Sequence, residues 1–356
     1  MEKFFSDIIN QSSFTKDPNK KNKVFTKYIN QLTSHHYKKC RLYKKYLNGL
    51  KYNPKKKYEL SKIPFLPVRL FKEFDFLSID EKKIYKILYS SGTSSGNLSK
   101  IYLDKLNALN QIKILQKIFN TINGSTRLPM LIIDKQISHL DRNKFNASIA
   151  AIKGFSIFAN HVTYLLDEND EINYDQLNIF LKRNNKNNFL IFGFTHNVYL
   201  NLIERLDLNK IRYNSFSNAL LIHGGGWKKI EKKKIKRKKF NDLLNNKLKI
   251  KNIKNYYGLV EQIGSIFFEC KCGYFIPSNY SEIIIRDQNF KEVGYGKKGI
   301  VQLLSLLPTS YPGHSILTED IGEMIYDPKC DCYGHGKRFL IHGRLKSAEL
   351  RGCANI

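Results

Sequence analysis

From residue 90 to residue 96 the chain reads Ser-Ser-Gly-Thr-Ser-Ser-Gly, followed by Asn97, Leu98, Ser99 and Lys100. Ser90, Ser91, Gly92, Thr93, Ser94, Ser95 and Gly96 are all small. A backbone so free of bulk can wrap closely round an anion and turn several N–H groups toward it. Five hydroxyls in that run, and the Lys100 ammonium after it, add donors and positive charge. That chemistry suits a triphosphate. It is not the usual P-loop, because no Gly-Lys-Ser/Thr follows at the required spacing. A flexible Ser/Gly linker has a similar composition. Here the run lies between a strand-like segment, Ile84 to Tyr89, and a second one, Lys100 to Leu103, which favours phosphate binding.

A second constellation is made of sulfur. Cys270-Lys271-Cys272-Gly273 and Cys330-Asp331-Cys332-Tyr333-Gly334 each present two thiols on a tight turn. Together they supply the ligands of a closed tetrahedral site of the kind structural zinc occupies. Four unligated thiols are the alternative, since Cys-x-Cys is less diagnostic than Cys-x-x-Cys. Cys40, beside Lys38 and Lys39 on an expected helix, reads as structural. Of the histidines, His35-His36 has no partner motif. His196 follows an expected strand and reads as a satisfied polar residue, whereas His314 after Pro312-Gly313 is placed to orient a phosphate or ribose.

The formal net charge of +29 over 356 residues would ordinarily point to nucleic acid or an anionic membrane. The excess is mostly lysine, interleaved with asparagine and isoleucine along the whole chain. Its densest run, Lys228 to Lys239, has Ile230 and Ile235 at near-helical spacing, the pattern of a solvated helix face. No aromatic residue interleaves it for base stacking, so no nucleic-acid partner is expected. The N-terminus lacks the apolar stretch of a secretory signal, and no run is long enough to span a bilayer. A cytoplasmic protein without an integral membrane segment follows as an expectation, its cysteines reduced unless they bind metal.

The elements that must position these groups follow from periodicity. Residues 1–60 read as helical, with Phe4, Ile8 and Ile9, then Val24, Tyr28, Ile29 and Leu32, then Tyr37, Leu42, Tyr43 and Leu47 in register, until Asn53-Pro54 breaks the pattern. Ile63 to Val68 reads as an extended entry into a sheet. From Met130 onward short apolar runs (131–134, 189–194, 219–223) alternate with helix-like ones (147–152, 197–206). Such alternation predicts an α/β domain with substantial parallel sheet. After Cys272 the texture changes to short strands with Gly and Pro turns, including Ser281 to Asp287 and Gly299 to Leu306, which predicts a smaller β-rich subdomain over 273–342.

Further segments follow the phosphate loop in a fixed order: His223-Gly224-Gly225-Gly226-Trp227-Lys228, Tyr256-Tyr257-Gly258-Leu259-Val260-Glu261-Gln262, Leu317-Thr318-Glu319-Asp320-Ile321-Gly322 and Gly343-Arg344-Leu345-Lys346. Taken with Ile63 to Phe71, Leu307 to His314 and Glu349-Leu350-Arg351-Gly352-Cys353, the set resembles the LuxE-type acyl-protein synthetases. These are a branch of the adenylate-forming enzymes, alongside acyl-CoA ligases and peptide-synthetase adenylation domains. The resemblance implies an adenylate-forming large domain over residues 1–342. A hinge remnant and cysteine-bearing tail over 343–356 would follow, with no C-terminal lid domain.

It also implies a two-step reaction. A carboxylate attacks the α-phosphate of ATP to give acyl-AMP and pyrophosphate, and a thiol then takes the acyl group. In that scheme the Ser/Thr/Gly loop and Lys100 hold the β- and γ-phosphates, and Glu261 offers an oxygen to Mg²⁺. Gly224, Gly225 and Gly226 lie near the acyl-adenylate, and Tyr257 flanks the adenine. Gly258 lets the backbone come close, Asp320 accepts the ribose hydroxyls, and Arg344 supplies a fixed cation. Cys353 is placed as the internal acyl acceptor, with Arg351 favouring its thiolate. The implied partners are a carboxylic acid, fatty or otherwise, and an acyl-acceptor protein such as an acyl reductase. CoA or a carrier thiol is the alternative acceptor. A degenerate nucleotide-binding scaffold that kept the fold is the reading from a different class.

Overall fold

The protein is described by a computed structural model covering residues 2–15, 17–90, 98–136, 147–213, 216–334 and 336–345. It divides into two compact units, Met1–Ile122 with Gly258–Ile356, and Asn123–Tyr257.

The first unit opens with helices α1 (Glu2–Ile9), α2 (Pro18–Lys39) and α3 (Arg41–Gly49). The Asp17 carboxylate caps α2 by accepting from Lys20 N–H at 3.0 Å, and Pro18 occupies the first turn, where its missing N–H costs nothing. The stripe Phe25, Tyr28, Ile29 and Leu32 is buried, as its spacing predicts. The entry segment becomes a short strand, β1 (Leu66–Pro67), followed by α4 (Leu70–Glu73). Strands β2 (Lys86–Tyr89) and β3 (Lys100–Leu103) form an antiparallel pair whose connection is the Ser/Gly run, and α5 (Lys105–Asn123) follows.

The second unit is a parallel α/β sheet. Strands β4 (Leu128–Lys135), β5 (Ala159–Leu166), β6 (Phe189–Phe194), β7 (Ala219–Gly224) and β8 (Asn252–Tyr257) alternate with helices α6 (Ala147–Ser156), α7 (Tyr174–Arg183), α8 (Thr195–Val198) and α9 (Arg237–Leu248); a π-helical turn, Tyr199–Arg205, continues α8. The strands lie in the order β5-β4-β6-β7-β8, every neighbouring pair parallel. β6 and β7 read as nearly continuous apolar runs because both faces are covered. Leu131, Leu165, Leu177, Phe189, Ile191, Leu221 and Leu244 form the centre of this unit's core. In such sheets ligands bind outside the carboxyl ends of the strands.

The chain then returns to the first unit with β9 (Phe267–Glu269), β10 (Phe275–Ile276), β11 (Ser281–Arg286), β12 (Lys298–Ser305), β13 (Ser315–Ile325) and β14 (Arg338–Arg344). Within this unit they pair antiparallel in the order β11-β12-β13-β14-β10-β9, and β1 adds to β13 in parallel. The texture change after Cys272 therefore marks a change from parallel to antiparallel pairing. No helix among the described residues is long and apolar enough to cross a membrane.

Candidate active site

Within the parallel unit the glycine segment starts at the carboxyl end of β7, on the side of the sheet where such topologies bind ligands. Gly224 is opposite Tyr256 in the β7–β8 register, and a Cβ at 224 would run into the Tyr256 ring. Gly225 has φ +73°, a left-handed conformation that favours glycine. The segment is bolted down by a residue the sequence did not single out. The Thr195 hydroxyl lies 3.0 Å from each of the Gly224 and Gly225 carbonyl oxygens and 3.0 Å from His223 Nδ1. Burial, with Arg237 nearby, pushes the His223 pKa down to about 3, so the ring is neutral. A proton on its Nδ1 then donates to Thr195, whose own proton serves the glycine carbonyls. Tyr257 ends β8 at the same edge of this sheet.

In the first unit the acidic groups are held with equal care. Asp320, 7% exposed, is paired across the β13–β14 ladder with Arg344, whose Nε approaches its Oδ1 at 3.3 Å while the rest of the arginine stays half exposed. Thr318 fixes the strand at this point by donating to Val301 O at 2.9 Å and accepting from Asp320 N–H at 3.0 Å. Glu261 sits in a 3₁₀ turn, Val260–Gln262, and is 5% exposed. Burial raises its pKa; the Ser99 hydroxyl and the charges of Lys72 and Arg344 pull in the opposite direction. Arg344 is thus felt by both carboxylates.

The turn bearing Glu261 is fastened by the segment 307–314. The Tyr311 hydroxyl donates to Glu261 O at 2.9 Å, and Gln262 Nε2 donates to Leu303 O and Gly313 O at 3.0 and 2.8 Å. Asn107 of α5 anchors the segment by donating to Leu307 O at 2.6 Å and accepting from Ser310 Oγ at 2.9 Å. His314 does not face a ligand. It is fully buried, stacked 4.8 Å from His36 and within 3.0 Å of Thr33 Oγ1, so the expected phosphate- or ribose-orienting role gives way to a structural one.

Of the phosphate-loop residues, Ser90 is described. Its N–H donates to Ser99 O at 3.1 Å and its Oγ accepts from Ser99 N–H at 2.9 Å, closing the neck of the loop. Ser91, Gly92, Thr93, Ser94, Ser95 and Gly96 lie outside the described residues, as does Cys353. Lys100 stands at the start of β3, 45% exposed, with Asp75 Oδ1 at 3.6 Å.

The four cysteines meet. Cys270 Sγ is 3.9 Å from Cys330 Sγ, Cys272 Sγ is 3.9 Å from Cys332 Sγ, and all four sulfurs lie within 4.8 Å of one another. Left-handed residues shape both turns: Gly273 at φ +92°, Tyr333 at +54° and Gly334 at +87°. Ile276 packs with the buried sulfurs, while Phe14, Tyr274 and Tyr333 cover them from outside, Phe14 stacking on Tyr333 at 4.8 Å.

Comparison with known proteins decides the family. The profile of the acyl-protein synthetase family LuxE matches residues 4–356. The chain belongs to the LuxE acyl-protein synthetase family. It is an adenylate-forming ligase by that membership. It is 25% identical over 307 residues to the long-chain-fatty-acid–luciferin-component ligase of Aliivibrio fischeri, covering 83% of this chain and 78% of that protein. It is 23% identical over 308 residues to the ligase of the same name from Vibrio harveyi, covering 83% and 77%. The fold is shared with 2-hydroxyisobutyryl-CoA ligase. A structure of that enzyme with 2-HIB-AMP and CoA superposes with a TM-score of 0.73 at 13% identity, over 94% of this chain and 70% of the other. For this LuxE-family chain the mixed α/β architecture with helical N-terminus is the fold of an adenylate-forming large domain.

Proposed function

We propose that this LuxE-family chain activates a carboxylic acid, fatty or of another acyl class, as acyl-AMP and passes the acyl group to a thiol, first its own Cys353 and then a partner protein. The observation that carries the reading is the buried Asp320 in ladder register and ion-paired with Arg344, whose charge also acts on the buried Glu261. In the first step a carboxylate oxygen bonds to the α-phosphorus while the bond to pyrophosphate breaks. In the second, a thiolate bonds to the acyl carbon and AMP leaves. Asp320 accepts from the ribose hydroxyls. The cation of Arg344 offsets charge on the phosphates, and the loop that Ser90 closes supplies N–H and hydroxyl donors to the β- and γ-phosphates. The donor set fits Mg²⁺: a buried carboxylate on Glu261 with the buried Ser99 hydroxyl beside it. When bound, the ion would neutralise charge on the phosphates.

The cysteine cluster belongs to a different part of the molecule's chemistry. A Zn–S length of about 2.3 Å requires sulfurs about 3.8 Å apart in a tetrahedron; the shorter pairs here are at 3.9 Å. We read it as a closed structural zinc site.

Incubation with a radiolabelled acid and ATP, followed by gel separation, tests the acceptor. Wild-type protein is expected to carry the label covalently and Cys353→Ser to lose it while still forming acyl-AMP. Label retained by Cys353→Ser, or transfer to CoA undiminished in that variant, would remove Cys353 from the scheme.

A further inference from the structure

The cysteine cluster lies where the antiparallel sheet is thinnest. β10 is two residues long and meets β14 at one registered position, Phe275 with Phe339; it meets β9 at two. Pairing this short holds little on its own, since even a complete isolated hairpin is marginal in water. Yet the seam joins two parts of the candidate site in this unit. On one side is the segment that carries Glu261 and runs into β9. On the other is the β13–β14 hairpin, with Asp320 and Arg344 at the end away from its turn. Cys270 and Cys272 occupy the β9–β10 turn, and Cys330 and Cys332 occupy the β13–β14 connection.

We infer that a zinc ion held by Cys270, Cys272, Cys330 and Cys332 is the clamp that locks hairpin β9–β10 to hairpin β13–β14, and that its occupancy sets the protein's affinity for nucleotide. The inference rests on the zinc reading and on the adenylating function proposed above. Cys270 and Cys330 are 60 residues apart in sequence, so the bridge removes a long-range freedom that the two-residue strand cannot. The turns are prepared for it. Cys270 N–H donates to Tyr274 O at 2.8 Å and Gly273 N–H to Cys270 O at 2.9 Å. The Arg338 guanidinium, at the start of β14, donates to the carbonyl oxygens of Cys330 and Gly334. The strand that ends in Arg344 therefore begins at the metal-bearing loop. Glu261 is also held from its other side by Tyr311 and Gln262, so loss of the clamp loosens the site without abolishing it.

The full chain, purified under reducing conditions, should contain one zinc per molecule by elemental analysis. Stripping it with a chelator should raise amide hydrogen exchange across 267–276 and 338–344, leaving 281–286 and 298–305 protected. ATP binding measured by calorimetry should weaken about tenfold, roughly 1.4 kcal/mol. Restoring zinc or cadmium should reverse both effects. Cys272→Ser, at the exposed ligand, should keep the fold and show the same changes at limiting zinc. A reduced protein that holds no zinc, and develops no thiolate–cobalt absorption with Co²⁺, overturns the zinc reading and the clamp with it. Zinc present, but exchange and affinity unchanged on its removal, overturns the clamp alone. A zinc-loaded protein that does not bind ATP overturns the link to nucleotide and the adenylating function, while the exchange pattern still decides the clamp.

Discussion

Asp320 and Glu261 are both carboxylates buried in one unit, yet their surroundings prepare them differently. Asp320 has Arg344 at 3.3 Å, whereas the Glu261 carboxyl is pushed up by burial. Asp320→Ala is expected to weaken ATP binding by about 2–3 kcal/mol, roughly 30- to 150-fold, because two ribose hydroxyls lose a charged acceptor. Calorimetry with ATP checks this, and an unchanged affinity would take Asp320 out of the nucleotide site. The buried histidines make a separate prediction. Burial drives His36 well below its usual pKa, and drives His314 and His223 down to about 3, so each is neutral when folded. Unfolded histidine takes a proton below about pH 6.5, so each such group subtracts about 1.4 kcal/mol of stability per pH unit as the solution is acidified from there. Glu261, with its raised pKa, works in the opposite sense but is one group against three. The melting temperature should therefore fall between about pH 6.5 and 5. A flat profile through that range would mean these rings are hydrated in the native state. None of this was legible from His36 or His314 alone. Their partners Ser78, Pro308 and Thr33 are remote in sequence and are supplied by the tertiary fold.

At the level of elements, apolar periodicity was enough to find β6 and β7, and to place the α2 stripe, because continuous burial writes itself into residue type. The β2–β3 pair round the Ser/Gly run was also legible, since strand and loop compositions change abruptly there. Periodicity failed where an element serves as an anchor. Thr195 opens a four-residue helix and looks unremarkable, but it ties the glycine segment to β6. Tyr311 lies in irregular backbone and Gln262 in a short 3₁₀ turn, and both act on carbonyl oxygens, which leave no side-chain signature. Two substitutions test this layer. Thr195→Val removes the hydroxyl at nearly constant volume and should cost about 1–3 kcal/mol in denaturant unfolding, since His223 Nδ1 and two carbonyls lose their partner. Gly224→Ala should cost about 1–3 kcal/mol through overpacking against Tyr256, with the catalytic turnover falling as well. If Gly224→Ala were as stable as the parent, the tight β7–β8 approach would not be the reason for glycine there.

For the molecule as a whole, the ordered series of motifs outweighed composition. A net charge of +29 taken alone points toward nucleic acid, but the lysines are dispersed, and the family match over residues 4–356 identifies an adenylate-forming ligase. What the sequence could not supply was chemistry made by topology. The ladder register of Asp320 with Arg344 depends on how β13 and β14 pair, whereas the meeting of the four sulfurs was legible in the two Cys-x-Cys turns. The central claim is that this chain adenylates a carboxylate, and ATP–pyrophosphate exchange with purified protein tests it most directly. A panel of acids from short to long chain, with aromatic and hydroxylated members, should give exchange that depends on magnesium and on one class of acid, and Asp320→Ala should suppress it. A folded, ATP-binding protein that shows no exchange with any acid would contradict the account.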